Sequence, residues 1–132
     1  MVNSPLVKKL QLKAGQKAAI INAPPDFVEA LGELPEGVEL KDRPSAGLDF
    51  VLVFAKDGAE LKRLGPKAIR AVKPDGMLWI AYPKSTSKVR SDLNRDVIWD
   101  LVKEYGVLGV SLISIDNIWS AMRFRPADRV GK

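Results

Sequence analysis

The sequence predicts an α/β domain, a three-layer sandwich whose mostly parallel sheet has about five to seven strands and ends in a C-terminal antiparallel hairpin. First, the spacing of apolar residues switches several times between a period of two and one of about 3.6. Second, the apolar runs at residues 48–55 and 77–82 are strand-sized and share a single charge, Asp49. Third, amphipathic helical segments separate the runs, as crossovers between parallel strands require.

The first third of the chain predicts two strands with a short helix between them. Residues 17–22 are typical of a short buried strand, which the prolines at 24 and 25 end because proline cannot continue a ladder. A helix is expected from residue 25 or 26 to residue 31, because proline is well placed to open one. Residues 37–40 predict a weak strand. The inward residues of the helix are expected to be Phe27, Val28 and Leu31.

The middle of the chain predicts two central strands joined by a helix. Residues 48–55 predict a central parallel strand, because a near-continuous apolar run needs cover on both faces. Residues 59–72 follow a helical stripe that Gly65-Pro66 interrupts, so we expect a kink or two short helices. The Lys-Pro-Asp-Gly sequence at 73–76 is typical of a tight turn, and residues 77–82 predict the second central strand.

The last third predicts one long helix and a hairpin. Residues 91–105 show the clearest helical spacing, with Ser91 as the expected N-cap and Gly106 as the expected stop. Two alternating runs follow, at 109–115 and 118–125, and Asp116-Asn117 separates them. Because Asp and Asn tolerate positive φ, this pair predicts an antiparallel hairpin with a primed turn.

The composition excludes several kinds of chemistry. The 132 residues contain no Cys and no His, so disulfides, thiolate nucleophiles, Ser-His-Asp hydrolysis and histidine-bound zinc are ruled out. No metal site is expected, and no catalytic residue can be named. The length suits one domain over residues 1–132, with an ordered core over about 6–126. Without signal-peptide features or an apolar run of the ~20 residues that span a bilayer, we expect a cytoplasmic protein with no membrane partner.

The net charge is +5, from 21 basic and 16 acidic residues. This balance favours an anionic partner, either an anionic small molecule or a nucleic acid. A solvated basic surface explains the same charge, so the charge alone does not choose between these interpretations.

Motifs along the chain carry a resemblance to a known fold. Residues 48–51 place an acidic residue near the start of a strand, and a helix, the turn at 73–76, an apolar strand, a helix and the hairpin follow. This order resembles the second half of the S-adenosylmethionine-dependent methyltransferase fold. Most of the chain also resembles a family of small uncharacterised bacterial proteins, which share Tyr82-Pro83-Lys84 and Trp119-Ser120-Ala121-Met122-Arg123. The resemblance implies a Rossmann-like, methyltransferase-like fold and leaves the function open.

The segment after the first predicted strand departs from the methyltransferase pattern. A glycine-rich loop normally lies here, because the backbone must turn sharply and approach the cofactor. Residues 22–26 instead read Asn-Ala-Pro-Pro-Asp, with no glycine and two prolines that lack N–H donors. The acidic residue that would hold the cofactor ribose could only be Glu39 or Asp42. The sequence therefore argues against S-adenosylmethionine as the cofactor.

Ligands of open α/β sheets bind beyond the carboxyl ends of the strands. The candidate ligand-binding residues are therefore the polar residues that follow three of the predicted strands. Hydroxyls, cations and unpaired helix N–H groups suit a phosphate or carboxylate, so the segment before the long helix is a candidate anion cradle. The alternative is a solvated loop in which Ser91 is an ordinary helix cap. The cradle consists of Lys84, Ser85, Thr86, Ser87, Lys88, Arg90 and Ser91, and the cleft edge of Asn22, Asp26, Lys56 and Asp57.

Other conspicuous residues have structural interpretations. Asp49 is expected at the opposite end of its strand from the ligand edge, in a hydrogen bond or salt bridge. Trp79 and Trp119 are expected to pack in the core or on a sheet face, whereas Trp99 lies beside the helical stripe and is a candidate for a contact surface. Alternating basic residues guard an edge strand against pairing, which is the expected role of Arg123 and Arg125.

Three functions remain open. The leading hypothesis is a non-catalytic α/β domain that binds an anionic small molecule or a protein partner. The alternatives are a methyltransferase with an atypical cofactor loop and a basic nucleic-acid-binding module. The chain is expected to be a monomer or a homodimer, and the two arginines on the hairpin argue mildly against dimerisation through that edge.

Overall fold

The fold is built from four helices and six strands in the part of the chain that the computed structural model describes, residues 5–25, 27–32, 34–41, 43, 45–84 and 91–127. The helices are α1 (Pro5–Leu10), α2 (Phe27–Leu31), α3 (Gly58–Ala71) and α4 (Arg95–Val102), and a 3₁₀ turn (Lys103–Tyr105) continues α4. The strands are β1 (Lys17–Ile21), β2 (Glu39–Lys41), β3 (Leu48–Phe54), β4 (Val72–Pro83), β5 (Val107–Ser114) and β6 (Trp119–Pro126).

The strands form one sheet in the order β2-β1-β3-β4-β6-β5. The first four are parallel, whereas β6 pairs antiparallel with both β4 and β5. A mostly parallel sheet that ends in an antiparallel hairpin confirms the predicted fold class. No helix among the described residues is long and apolar enough to cross a membrane.

Two apolar layers cover the faces of the sheet. On one face, α3 and α4 bury Leu61 and Ile98 against the central strands. On the other face, α1 and α2 bury Leu10 and Leu31 in a second cluster. Every residue from Phe50 to Phe54 is fully buried, which confirms that β3 is a central strand covered on both faces.

Helix α1 is absent from the sequence-based prediction. Its six residues carry two adjacent lysines and too few apolar positions to show a period. Val7 and Leu10 are buried in the same cluster as Trp79, whose indole Nε1 donates a 2.9 Å hydrogen bond to the Leu10 carbonyl. This contact with the sheet, rather than local sequence pattern, stabilises the helix.

Helices α2 and α3 differ from the prediction in detail. Phe27 and Leu31 of α2 are buried as expected, but Val28 is 46% exposed because a five-residue helix presents only one narrow face to the sheet. Helix α3 is continuous through Gly65-Pro66, so the two-helix interpretation is wrong. The Cβ that Gly65 lacks would lie 3.2 Å from Leu61 Cδ1.

The predicted tight turn at 73–76 lies within β4. Leu48 pairs with Val72 and Phe50 with Met77, so the four intervening residues of β4 face the single residue Asp49. This irregularity is a bulge in the ladder rather than a turn between elements. Gly76 is required there, because a Cβ at this position would lie 2.8 Å from Val72 Cγ2.

The C-terminal helix and hairpin also correct two predictions. The N-cap of α4 is Asn94, whose Oδ1 accepts a 2.9 Å bond from the Val97 amide, and not Ser91. Gly106 has a φ of 79° and ends the 3₁₀ turn, as predicted. The hairpin turn is not of the primed type, because Asp116 and Asn117 do not have positive φ. Instead Asp116 Oδ1 accepts 2.8 Å bonds from the amides of Ile118 and Trp119.

Strand β6 is an interior strand, between β4 and β5. Arg123 and Arg125 therefore do not guard a sheet edge, and the predicted role is wrong. The edge strand on this side is β5, which carries no charged residue. The argument against pairing of two copies through the hairpin loses its basis, and monomer or homodimer stays a prediction.

The three tryptophans occupy different environments. Trp79 is fully buried, and Trp119 is half-buried with its ring edge-to-face against Phe54 at 5.1 Å, so both pack as predicted. Trp99 on α4 is 40% exposed. Its predicted role in a contact surface remains a prediction.

Asp49 joins three strands at the amino end of the parallel sheet, as predicted. Its carboxylate accepts a 2.9 Å bond from the Lys17 amide of β1 and forms a 2.7 Å salt bridge with Lys73 of β4. The Lys73 ammonium, then the Lys17 amide, hold the pKa of Asp49 below its ordinary value of 3.8.

We expect Asp49→Asn to lower the free energy of unfolding at pH 7 by about 1 kcal/mol, because the salt bridge is partly solvated. A depressed carboxyl pKa stabilises the fold above the unfolded pKa, and this contribution disappears as the pH falls through the folded value. Urea unfolding at several pH values should therefore show the two proteins converging below about pH 4. An equal difference at pH 7 and pH 3 would contradict this role.

Candidate functional site

The candidate site lies where the carboxyl ends of β1 and β3 meet. These strands are neighbours, yet their onward connections run in opposite directions, to β2 and to β4. Such a switch leaves a crevice at the carboxyl ends, where ligands of open α/β sheets bind. Three residues of the predicted cleft edge, Asn22, Lys56 and Asp57, directly follow these two strands, and Asp26 lies outside the described residues.

Asn22 makes the sharp turn after β1. Its φ is 61°, the left-handed conformation that glycine adopts without strain and that Asn tolerates better than most residues. The side-chain Nδ2 donates to the Phe54 carbonyl at 2.9 Å and to Glu60 Oε1 at 3.2 Å. The chain therefore turns sharply here without a glycine, contrary to the expectation drawn from residues 22–26.

Glu60 holds the cleft edge together. The same Oε1 atom accepts a 2.9 Å bond from the Lys56 amide, so one carboxylate connects the segments that follow β1 and β3. Asp57 is the N-cap of α3, and its Oδ1 accepts a 2.9 Å bond from the Glu60 amide. Sequence reasoning missed Glu60, although Asp57 followed three residues later by Glu60 matches the capping signature of a helix start.

A third carboxylate reaches the same helix start from a distant segment. Asp92 Oδ1 accepts a 2.8 Å bond from the Gly58 amide, and a Cβ on Gly58 would lie 3.1 Å from Asp92 Oδ2. Asp57, Glu60 and Asp92 thus surround the first turn of α3 and make the crevice acidic. In the part of the chain that the structure describes, no group of three or more such side chains is arranged to hold a metal ion.

A chamber of about 590 Å³ lies beside the crevice, at the carboxyl ends of β1 and β2. Glu39 cannot contribute to it, because it pairs with Lys17 at the amino end of β1. The other predicted ribose-binding residue, Asp42, comes directly after β2 in the sequence and lies outside the described residues. The chamber is lined by Ile20, Val28, Leu40, Lys41, Arg43 and Ser45.

The structure describes two residues of the predicted anion cradle. Lys84 Nζ donates a 2.6 Å bond to Ser114 Oγ, and Ser91 Oγ accepts a 3.0 Å bond from the Leu93 amide. Both side chains therefore contact protein groups. The remaining cradle residues, Ser85, Thr86, Ser87, Lys88 and Arg90, lie outside the described residues, so the cradle stays a prediction.

A second cavity, the β4–α4 groove, lies at the carboxyl end of β4 and has a volume of about 440 Å³. Burial raises the pKa of the Tyr82 phenol, and the nearby Arg95 guanidinium opposes this effect. Of the groove residues, the sequence predicted a ligand-binding role for Lys84 alone, because the cavity joins distant segments. It is lined by Tyr82, Lys84, Leu93, Asn94, Arg95, Asp96, Leu112 and Ser120.

The fold is that of the S-adenosylmethionine-dependent methyltransferases. The DhpI–SAH complex covers 95% of this chain and 84% of its own, with a TM-score of 0.62 and 11% identity. A SAM-dependent methyltransferase from Aquifex aeolicus matches 90% of this chain and 86% of its own chain, with a TM-score of 0.59 and 13% identity. The N-methyltransferase NodS from Bradyrhizobium japonicum WM9, in complex with S-adenosyl-L-homocysteine, matches 92% of this chain and 83% of its own chain. The TM-score is 0.58 and the sequence identity is 12%.

No family model and no curated protein sequence matches the chain. The solved structures nevertheless confirm the predicted methyltransferase-like fold. They also overturn the argument against S-adenosylmethionine, because structures similar over more than nine-tenths of this chain hold SAH. The physical reason for the error is the turn at Asn22, which adopts the conformation for which a glycine seemed necessary.

Proposed function

We propose that the chain is an S-adenosylmethionine-dependent methyltransferase whose cofactor loop is atypical. The similarity of the fold to SAH-bound structures supports the proposal. The observation that carries it is the left-handed turn at Asn22, which lets the backbone after β1 pass close to a nucleoside. The leading sequence hypothesis, a non-catalytic domain, has no comparable support.

The chamber at the carboxyl ends of β1 and β2 suits the adenosine half of the cofactor. Its volume of about 590 Å³ lies in the range of small-molecule sites. Ile20 and Leu40 offer apolar walls for a flat adenine ring. Asp42, which follows β2, is the acidic residue whose place in the sequence suits the ribose hydroxyls.

The acidic crevice suits the charged half of the cofactor. S-adenosylmethionine carries a sulfonium and an ammonium cation and supplies an electrophilic methyl group when bound. Asp57, Glu60 and Asp92 place negative charge around the first turn of α3, between the chamber and the β4–α4 groove. This distribution favours a cation at the crevice, although the net charge of the chain is +5.

The loop after β1 is atypical in its amide donors. Pro24 and Pro25 have no N–H group, so they cannot bind the cofactor carboxylate as a glycine-rich loop would. The affinity therefore depends on the nucleoside and the cationic groups more than on the amino-acid carboxylate. We expect S-adenosylmethionine to bind at least as tightly as the uncharged-sulfur product SAH.

Isothermal titration calorimetry with S-adenosylmethionine and with SAH tests the proposal. We expect saturable binding of both, with dissociation constants below about 1 mM. Methionine alone should bind much more weakly, because it lacks the adenosine that the chamber would enclose. The absence of heat at millimolar S-adenosylmethionine and at millimolar SAH would contradict the proposal.

A further inference from the structure

We propose that the β4–α4 groove binds the oxyanion of a small organic molecule, with the Tyr82 hydroxyl and the Arg95 guanidinium as the binding groups. The groove lies at the carboxyl end of β4, whereas the chamber assigned to adenosine lies at the carboxyl ends of β1 and β2. The inference goes beyond the proposed function and does not depend on it, because it concerns different residues and a different ligand.

Tyr82 contributes a hydroxyl to the groove. The residue is 7% exposed and lines the groove, yet no described residue forms a hydrogen bond with its hydroxyl. A hydroxyl that no described protein group engages is available to donate a hydrogen bond to a ligand oxygen in the groove. Ser120 lies directly opposite Tyr82 in the pairing of β4 with β6 and adds a second hydroxyl to the groove.

The start of α4 leaves two backbone amides without an acceptor among the described residues. Asn94 satisfies the amide of Val97 through its side chain and that of Ile98 through its carbonyl. The amides of Arg95 and Asp96, the first two of the helix, have no acceptor within the described residues. Arg95 and Asp96 line the same groove as Tyr82, so the positive end of the helix dipole lies beside that groove.

The charges that line the groove are Lys84, Arg95 and Asp96, which sum to one positive charge. The Tyr82 phenol is protonated at neutral pH, and hence a donor, and burial raises its pKa further. Leu93 and Leu112 supply apolar walls. An anion attached to a small apolar body satisfies these features better than inorganic phosphate alone.

The probes are therefore benzoate, phenyl phosphate and inorganic phosphate, with benzyl alcohol as the neutral control. Binding is followed by chemical-shift changes of the backbone amides. We expect benzoate or phenyl phosphate to shift the amides of residues 94–96, and the stronger of the two identifies the oxyanion. Benzyl alcohol should shift them far less at equal concentration.

Variants assign the binding groups. Arg95→Gln should weaken binding of the better probe by about tenfold and Tyr82→Phe by about threefold. Arg63→Gln, an exposed α3 variant, is the matched control and should leave the affinity unchanged. If Arg95→Gln does not fold, Arg95→Lys retains the charge without the planar fork and should still weaken binding.

Three results would overturn the inference. The first is that neither aromatic anion binds at about 20 mM. The second is that Arg95→Gln or Arg95→Lys, together with Tyr82→Phe, binds like the original protein. The third is that benzyl alcohol binds equally well. None of these results bears on cofactor binding, because the chamber and the crevice retain all their residues in these variants.

Discussion

Replacing Asn22 by valine is expected to weaken SAH binding by about 10- to 100-fold. The substitution places a β-branched residue at a φ of 61°, where residues other than glycine and Asn are strained by about 1–2 kcal/mol. It also removes the hydrogen bonds of Nδ2 to Phe54 and Glu60, each contributing about 1 kcal/mol. The turn after β1 then moves away from the position in which a nucleoside fits. Titration calorimetry with SAH measures the loss.

Asn22→Gly is the matched control for this prediction. Glycine also loses the two side-chain hydrogen bonds but adopts the left-handed conformation without strain. We expect it to bind SAH within about threefold of the original protein. Equal affinity of the valine variant and the original protein would show that the conformation of this turn is irrelevant to the ligand.

Replacing Trp79 by alanine is expected to lower the free energy of unfolding by about 3–5 kcal/mol and Tm by about 10–20 °C. Trp79 is fully buried, and it is the largest of the fully buried side chains. Its loss leaves a cavity between the sheet and α1 and also leaves the Leu10 carbonyl without the indole donor. Urea unfolding measures the change. It is followed by circular dichroism rather than by tryptophan fluorescence, because the substitution removes one of the three tryptophans.

Trp99→Ala provides the control of the same chemistry. Trp99 is 40% exposed on α4, so its removal should change the free energy of unfolding by about 0.5 kcal/mol or less. Similar destabilisation by the two alanine variants would contradict the assignment of Trp79 to the core. It would also remove the explanation for the docking of α1.

The central strands could be predicted because their burial is written in the local sequence. Residues 48–55 and 77–82 are apolar on both faces, and both form strands at the centre of the sheet. The hairpin and the stop at Gly106 were also predictable, because alternation and a left-handed glycine are local signals. Helix α1 could not be predicted, because its few apolar residues show no helical period and are buried only through contact with the cluster that contains Trp79.

The candidate site was predictable in place but not in composition. The carboxyl edge followed from the order of the elements, and Asn22, Lys56 and Asp57 do meet there. The absence of glycine was misinterpreted, since the sequence does not show that Asn22 takes a positive φ. Asp92 could not be placed at all, because its bond to Gly58 joins residues 34 positions apart.

The most direct test of the account is a crystal structure of the protein grown with SAH. We expect an adenine ring between Ile20 and Leu40 in the chamber, with the thioether beside the turn at Asn22 and the acidic start of α3. A nucleoside bound elsewhere on the molecule, or crystals grown at saturating SAH that hold none, would contradict it.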